Sequence, residues 1–163
     1  MIRVDQAGEY GATRIYAGQL AVLGDRHPAS REIARMALQE RRHLDTFDAM
    51  MIERGVRPTL LQPLWNVAGH ALGAVTALMG PSAAMACTAA VETEIDKHYA
   101  DQLRRLGSDD PDLGATIAEF QAEELEHRDT ALAAGAENTL GYPILSAVIR
   151  AGCRAAIALS KRI

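Results

Sequence analysis

Glu40–His43 and Glu124–His127 are the only two Glu-x-x-His sequences in this 163-residue chain. On a helix, a Glu and a His three residues apart share a face, so each pair can turn a carboxylate and an imidazole toward one cation. Two further carboxylates keep step with them. Glu9 stands 31 residues before Glu40, and Glu92 stands 32 before Glu124. Four carboxylates and two imidazoles at matched spacing are chemistry for a pair of divalent metals. Oxygen-rich ligation with one imidazole per ion suits iron or manganese better than a metal that prefers soft ligands.

The flanking residues predict where these groups sit. Ile33, Met36, Glu40, His43, Phe47 and Met50 alternate by threes and fours, as do Leu113, Ile117, Phe120, Glu124, His127, Ala131 and Ala134. That spacing draws one apolar stripe on a helix and turns it toward a core. Met85, Glu92, Ile95, Tyr99 and Leu106 share a third face; Asp5, Glu9, Ala12, Tyr16 and Leu23 share a fourth, less cleanly. Burying even one ion costs several kcal/mol, so four carboxylates on core faces must be neutralised. Arg41, Arg42 and Arg128 lie nearby in sequence but at helical angles off the stripes. Two divalent cations match the four charges. One Glu from each of two helices, with Glu-x-x-His from each of two others, is the ligand plan of dinuclear carboxylate bundles. Glu92 lies about 21 Å of helix before Gly107 and Glu124 a similar length after it, so an antiparallel pair brings them level. The same holds for Glu9 and Glu40 to within about one turn.

Proline and glycine punctuate the helices that must do this positioning. A first helical pattern starts near Val4 and stops before Gly24; a second follows Pro28 and reaches Arg54, where Gly55 can cap it. Leu64 to Met79 is a short apolar helix closed by Gly80-Pro81. A fourth pattern runs from Pro81 to Leu106. Asp110-Pro111, an N-cap and N1 pair, opens a fifth that reaches Ala134. A last helix occupies about Tyr142 to Arg162. No strand pattern and no Gly/Ser linker interrupts them, so one all-α domain over residues 1–163 is expected. The net charge of −4 gives no reason to seek nucleic acid. Cys87 and Cys153 make no C-x-x-C pair, which speaks against a disulfide scaffold or a Cys-based zinc site. The start, Met1 to Asp5, lacks the apolar run of a signal peptide, and the expectation is a cytoplasmic chain or one trimmed of an earlier targeting segment.

The blocks IRVDQAGEYGATRIYAGQLAVLG, QERRHLDTF, RPTLLQPLWNVAGHALGAVTALMG, AMACTAAVETEIDKHY, EELEHRD and AGCRAAIALSKRI resemble the demethoxyubiquinone hydroxylases, di-iron monooxygenases of ubiquinone biosynthesis. The likeness covers nearly the whole chain. One departure is Gln6, where the family's D-H-A-G-E run has His. The resemblance implies a ferritin-like four-helix bundle with two additional helices, the apolar insert and the C-terminal amphipathic helix. It assigns two iron ions to Glu9, Glu40, His43, Glu92, Glu124 and His127, the six residues found from spacing. It also implies hydroxylation of a polyprenylated methoxy-benzoquinone by dioxygen, with NADH as reductant and a lipid-binding partner protein that helps deliver quinone. No dinucleotide-binding glycine motif is present. Tyr99, two turns beyond Glu92 on the same face, and its neighbour His98 are expected to assist proton or electron transfer. The competing reading makes Tyr99 a core residue. Asp5 and Asp96, each four residues from a ligand Glu, are candidates for orienting ligand histidines, or else for surface ion pairs.

From Pro58 to Val91 there is no Asp, Glu, Lys or Arg. The helical part of that stretch is short of the roughly 20 residues that span a bilayer, so a peripheral, partly inserted segment is expected. In the last helix Leu145, Ile149, Ala156, Leu159 and Ile163 form one face, and Arg150, Arg154, Lys161 and Arg162 supply positive charge for anionic lipid. The competing reading has both segments cover the bundle or form a dimer, which leaves a homo-oligomer open. The location implied is the cytoplasmic face of a bacterial inner membrane, or the matrix face of the mitochondrial one. Two other functions compete: a ferritin-like iron-oxidising or storage shell, against which the uncharged insert argues, and a non-catalytic lipid- or quinone-binding partner, which would have no need of six ligands.

Overall fold

A computed structural model describes residues 1–162. Among them the chain is all-α, with no strand. The helices are α1 (Ile2–Leu23), α2 (Pro28–Glu53), α3 (Gln62–Leu78), α4 (Pro81–Leu106), α5 (Pro111–Ala133) and α6 (Tyr142–Ser160), with a 3-10 turn at Ala136–Asn138. Every boundary falls within two residues of the punctuation in the sequence. Pro28 and Pro111 open α2 and α5, where a missing N–H costs nothing. The Asp110 carboxylate accepts from the Leu113 amide at 3.2 Å, and His27 Nδ1 accepts from the Ala29 amide at 3.2 Å. At the end of α2, Gly55 takes a left-handed φ of 61°. The Val56 amide then reaches back to the Met51 carbonyl at 2.9 Å, which closes the helix as expected.

The chain divides into two compact units. The first holds Met1–Ala84 and the chain from Ala155 on; the second is Met85–Arg154. In the first, α1 packs against both α2 and α3. Its core includes Ile15, Tyr16, Ile33, Met36 and Phe47. The α1–α3 seam is built on glycine. A methyl group added at Gly73 would overlap the Ile15 carbonyl, one at Gly18 would overlap the His70 carbonyl, and one at Gly69 would come within 2.9 Å of the Gly11 carbonyl. Gly69 and Gly73 are four apart and so lie on one face of α3, where they let two backbones touch. Gln19 Nε2 donates to the Ala84 carbonyl at 3.0 Å, and Trp65 Nε1 donates to Ser160 Oγ at 3.1 Å.

In the second unit, Met85, Ala86, Ala89 and Ala90 of α4 and Leu113, Ile117, Phe120 and Ala131 of α5 are buried. Gln121 Nε2 of α5 donates to Asp96 Oδ1 of α4 at 2.7 Å. α6 is fastened to α4 where Arg150 Nε donates to Glu94 Oε1 at 2.7 Å.

Three expectations about faces need correction. The α2 stripe ends on Met51, which is buried, rather than on half-buried Met50; from Phe47 the helix continues its stripe by four residues and not three. Ala134 is exposed, because it caps α5 and no longer belongs to its stripe. On α6, Ile149 is buried and Leu145 and Ala156 are half-buried, so that face is largely covered. The exposed apolar residues are Ile144, Val148 and Leu159. Ile163, also assigned to the predicted face, lies outside the described residues.

Candidate metal centre

Each unit carries its own buried Glu–Glu–His triad. In the first, α1 supplies Glu9 and α2 supplies Glu40 and His43. One donor atom from each of the three lies within 4.8 Å of the others. His43 Nδ1 is 3.4 Å from Glu9 Oε2 and 3.9 Å from Glu40 Oε2. In the second, α4 supplies Glu92 and α5 supplies Glu124 and His127, again with donor atoms within 4.8 Å of one another. His127 Nδ1 is 3.3 Å from Glu124 Oε2. All six residues are at most 2% exposed.

The levels computed from the sequence hold in both hairpins. Glu9 meets Glu40 and Glu92 meets Glu124, because in each antiparallel pair the two carboxylates lie at similar helical distances from the turn that joins their helices. The apolar stripe then fixes the direction. Ile33, Met36 and Phe47 flank Glu40 and His43 in the core, and Ile117, Phe120 and Ala131 flank Glu124 and His127. Arg41 and Arg42 are exposed, as their helical angle requires. Arg128 turns to Asp129 at 2.9 Å and to Asp96 at 3.9 Å.

The donor set fits a hard divalent cation. Two donors each about 2.1 Å from one ion stand roughly 3.0–3.5 Å apart, and the Nδ1–carboxylate separations of 3.3 and 3.4 Å match that edge. Two carboxylates in each triad balance one dication. Nitrogen and oxygen donors without sulfur accord with iron or manganese.

The neighbours sort themselves by burial. Asp5 is buried, which removes the surface ion-pair reading for it. Asp96 is half-buried and is engaged by Gln121 and Arg128, so it ties α5 to α4 rather than holding a ligand imidazole. Gln6, at the departure from the family pattern, donates through Nε2 to Asp48 Oδ1 at 3.0 Å and joins α1 to α2. Tyr99 is buried and His98 half-buried, with ring centroids 6.2 Å apart. His98 Nε2 lies 2.8 Å from Gln102 Nε2. Cys153 of α6 is near this region. Burial first, then the charges of Glu92 and Glu94, push its thiol up to about 12, so it stays protonated.

The sequence reading missed Glu94. It is 5% exposed and is met by Lys97, Arg150 and Arg154. Its signal was faint: two arginines one turn apart in a helix that is otherwise apolar.

Comparison with known proteins supports the same chemistry. The chain is 56% identical over 162 residues to a 3-demethoxyubiquinol 3-hydroxylase of Rhodospirillum rubrum, covering 99% of this chain and 76% of that protein. It is 55% identical over 166 residues to the mitochondrial NADPH-dependent 3-demethoxyubiquinone 3-hydroxylase of Mus musculus, covering 99% and 76%. To the mitochondrial 5-demethoxyubiquinone hydroxylase of Saccharomyces cerevisiae it is 44% identical over 179 residues, covering 100% and 77%. The family model for Ubiquinone biosynthesis protein COQ7 matches residues 1–160, the stretch that contains both triads, and to that family the chain belongs.

Proposed function

We propose that this chain is a demethoxyubiquinone hydroxylase that adds one oxygen atom to the ring of a polyprenylated methoxy-benzoquinone or its quinol. The observation that carries the reading is the duplicated, buried Glu–Glu–His triad in a chain of this family. Glu9, Glu40 and His43 would hold one iron, and Glu92, Glu124 and His127 the other, with residues 1–163 acting as one ferritin-like di-iron domain. When bound, the iron pair supplies electrons to dioxygen. Overall, a ring C–H, O2 and a reduced nicotinamide nucleotide with a proton give a ring C–OH, water and the oxidised nucleotide. NADH is the reductant the sequence resemblance implies, whereas the mouse relative is named for NADPH; the class common to both is a reduced nicotinamide.

The protein's own part is charge, dryness and proton supply. Four carboxylates set the charge that favours the oxidised metal pair. The apolar stripes around them keep bulk water from the reaction. Tyr99, with a phenol inside the core, and His98, with a half-buried ring beside it, would carry a proton inward along α4.

Membrane contact belongs to the same reading, since the substrate's tail is lipid. Leu64, Val67, Ala71, Val75 and Leu78 follow one another at threes and fours along α3 and are all exposed. α6 is a helix long and apolar enough to cross a membrane, and little of it is buried. We infer a peripheral protein on a bacterial inner membrane's cytoplasmic face or a mitochondrial matrix face, receiving quinone with a lipid-binding partner. The test is direct. Purified chain should carry two irons and convert a demethoxyquinone to a product about 16 mass units heavier in ordinary dioxygen and about 18 heavier under 18O2. Iron-loaded protein that consumes nicotinamide and oxygen without hydroxylated product would overturn the assignment.

A further inference from the structure

Glu94 follows the ligand Glu92 by two positions, so α4 turns it roughly 200° away from the triad. Its Oε1 accepts from Arg150 Nε at 2.7 Å and from Lys97 Nζ at 3.0 Å, and Arg154 Nη1 lies 3.2 Å away. Arg150 and Arg154 are one turn apart on α6 and flank Cys153, with buried Ile149 just before them. These residues make the side of α6 that meets α4. On the other side, Ile144, Val148, Ala151, Ala155 and Leu159 are exposed and carry no charge.

Both sides of α6 are therefore rich in apolar residues, and little of the helix is buried. Hydrophobic contact alone discriminates poorly between two such sides, because it is non-directional. The two guanidiniums do discriminate, and a single buried carboxylate determines where they point. We propose that Glu94 is a positioning residue that sets the rotation of α6 on α4: it holds half-buried Arg150 and the nearer guanidinium nitrogen of exposed Arg154 on the α4 side and leaves α6 with an uncharged outer face. The use of that face, meeting the lipid that holds the substrate, rests on the function proposed above; the clamp does not.

Hydrogen exchange on the iron-loaded full-length chain, with arginine modification by phenylglyoxal mapped by mass spectrometry, tests it without any turnover measurement. Glu94→Gln should speed exchange of the α6 amides at least tenfold while α5 amides stay as they were. Arg150 should be modified at least tenfold faster, and Arg162 at its original rate. Arg150→Gln should loosen α6 to the same degree, and the double variant no further than either single change. Unaltered α6 exchange in Glu94→Gln, parallel acceleration of α5, or effects that multiply in the double variant would each overturn the clamp.

Discussion

A buried carboxylate raises the question of what neutralises it, and this chain raises that question in duplicate. Glu40 and His43 could be found from sequence because both interrupt a stripe of Ile, Met and Phe; Glu124 and His127 were found the same way. Glu9 and Glu92 emerged through their distance from those pairs together with the apolar faces they share with Ala12 and Tyr16 and with Met85 and Tyr99. Glu94 did not, because its partner Arg150 stands 56 residues away and no local pattern says which way α6 turns. The ligand assignment predicts that Glu40→Ala and Glu124→Ala will each lower bound iron below two per chain by elemental analysis. Hydroxylation should then fall by more than the roughly 10–100-fold typical of groups that merely support a ligand. Tyr99→Phe should do the reverse: iron content intact, turnover slowed. Unchanged turnover would return Tyr99 to the core.

At the scale of the helix, Pro and Gly were sufficient guides to where each element begins and ends, since both act through the local backbone. Faces were harder. Where polar and apolar sides contrast, as on α2, the inward stripe was correct almost to its last residue. On α6 apolar residues surround the axis, and of the face expected to be outward Ile149 is buried and Leu145 and Ala156 half-buried, while Leu159 is exposed. The α1–α3 seam was invisible for another reason: glycine spacing alone does not name its partner. Gly73→Val should disturb it, since overpacking a tight contact costs about 1–3 kcal/mol. For a domain of this size that lowers Tm by roughly 2–12 °C, readable by calorimetry on iron-loaded protein. Asp110→Ala, which removes the α5 cap, should cost about 1 kcal/mol and leave iron binding unaltered.

For the molecule as a whole, the proposed lipid contact is open to test through the exposed apolar residues of α3. Liposome flotation should carry the wild type upward and lose Val67→Asp/Val75→Asp, with iron content equal in both. If the pair floats as before, α3 is not the lipid contact. A particle of cage mass on size exclusion would instead revive the storage reading. The glycine seam gives this experiment its clarity. α3 is gripped on one side through bare backbone, and its opposite ridge contributes nothing to that grip. The ridge can thus be rewritten with acidic or basic residues to yield a detergent-free, readily concentrated enzyme for spectroscopy, in which hydroxylation chemistry and bilayer attachment are studied as separate variables.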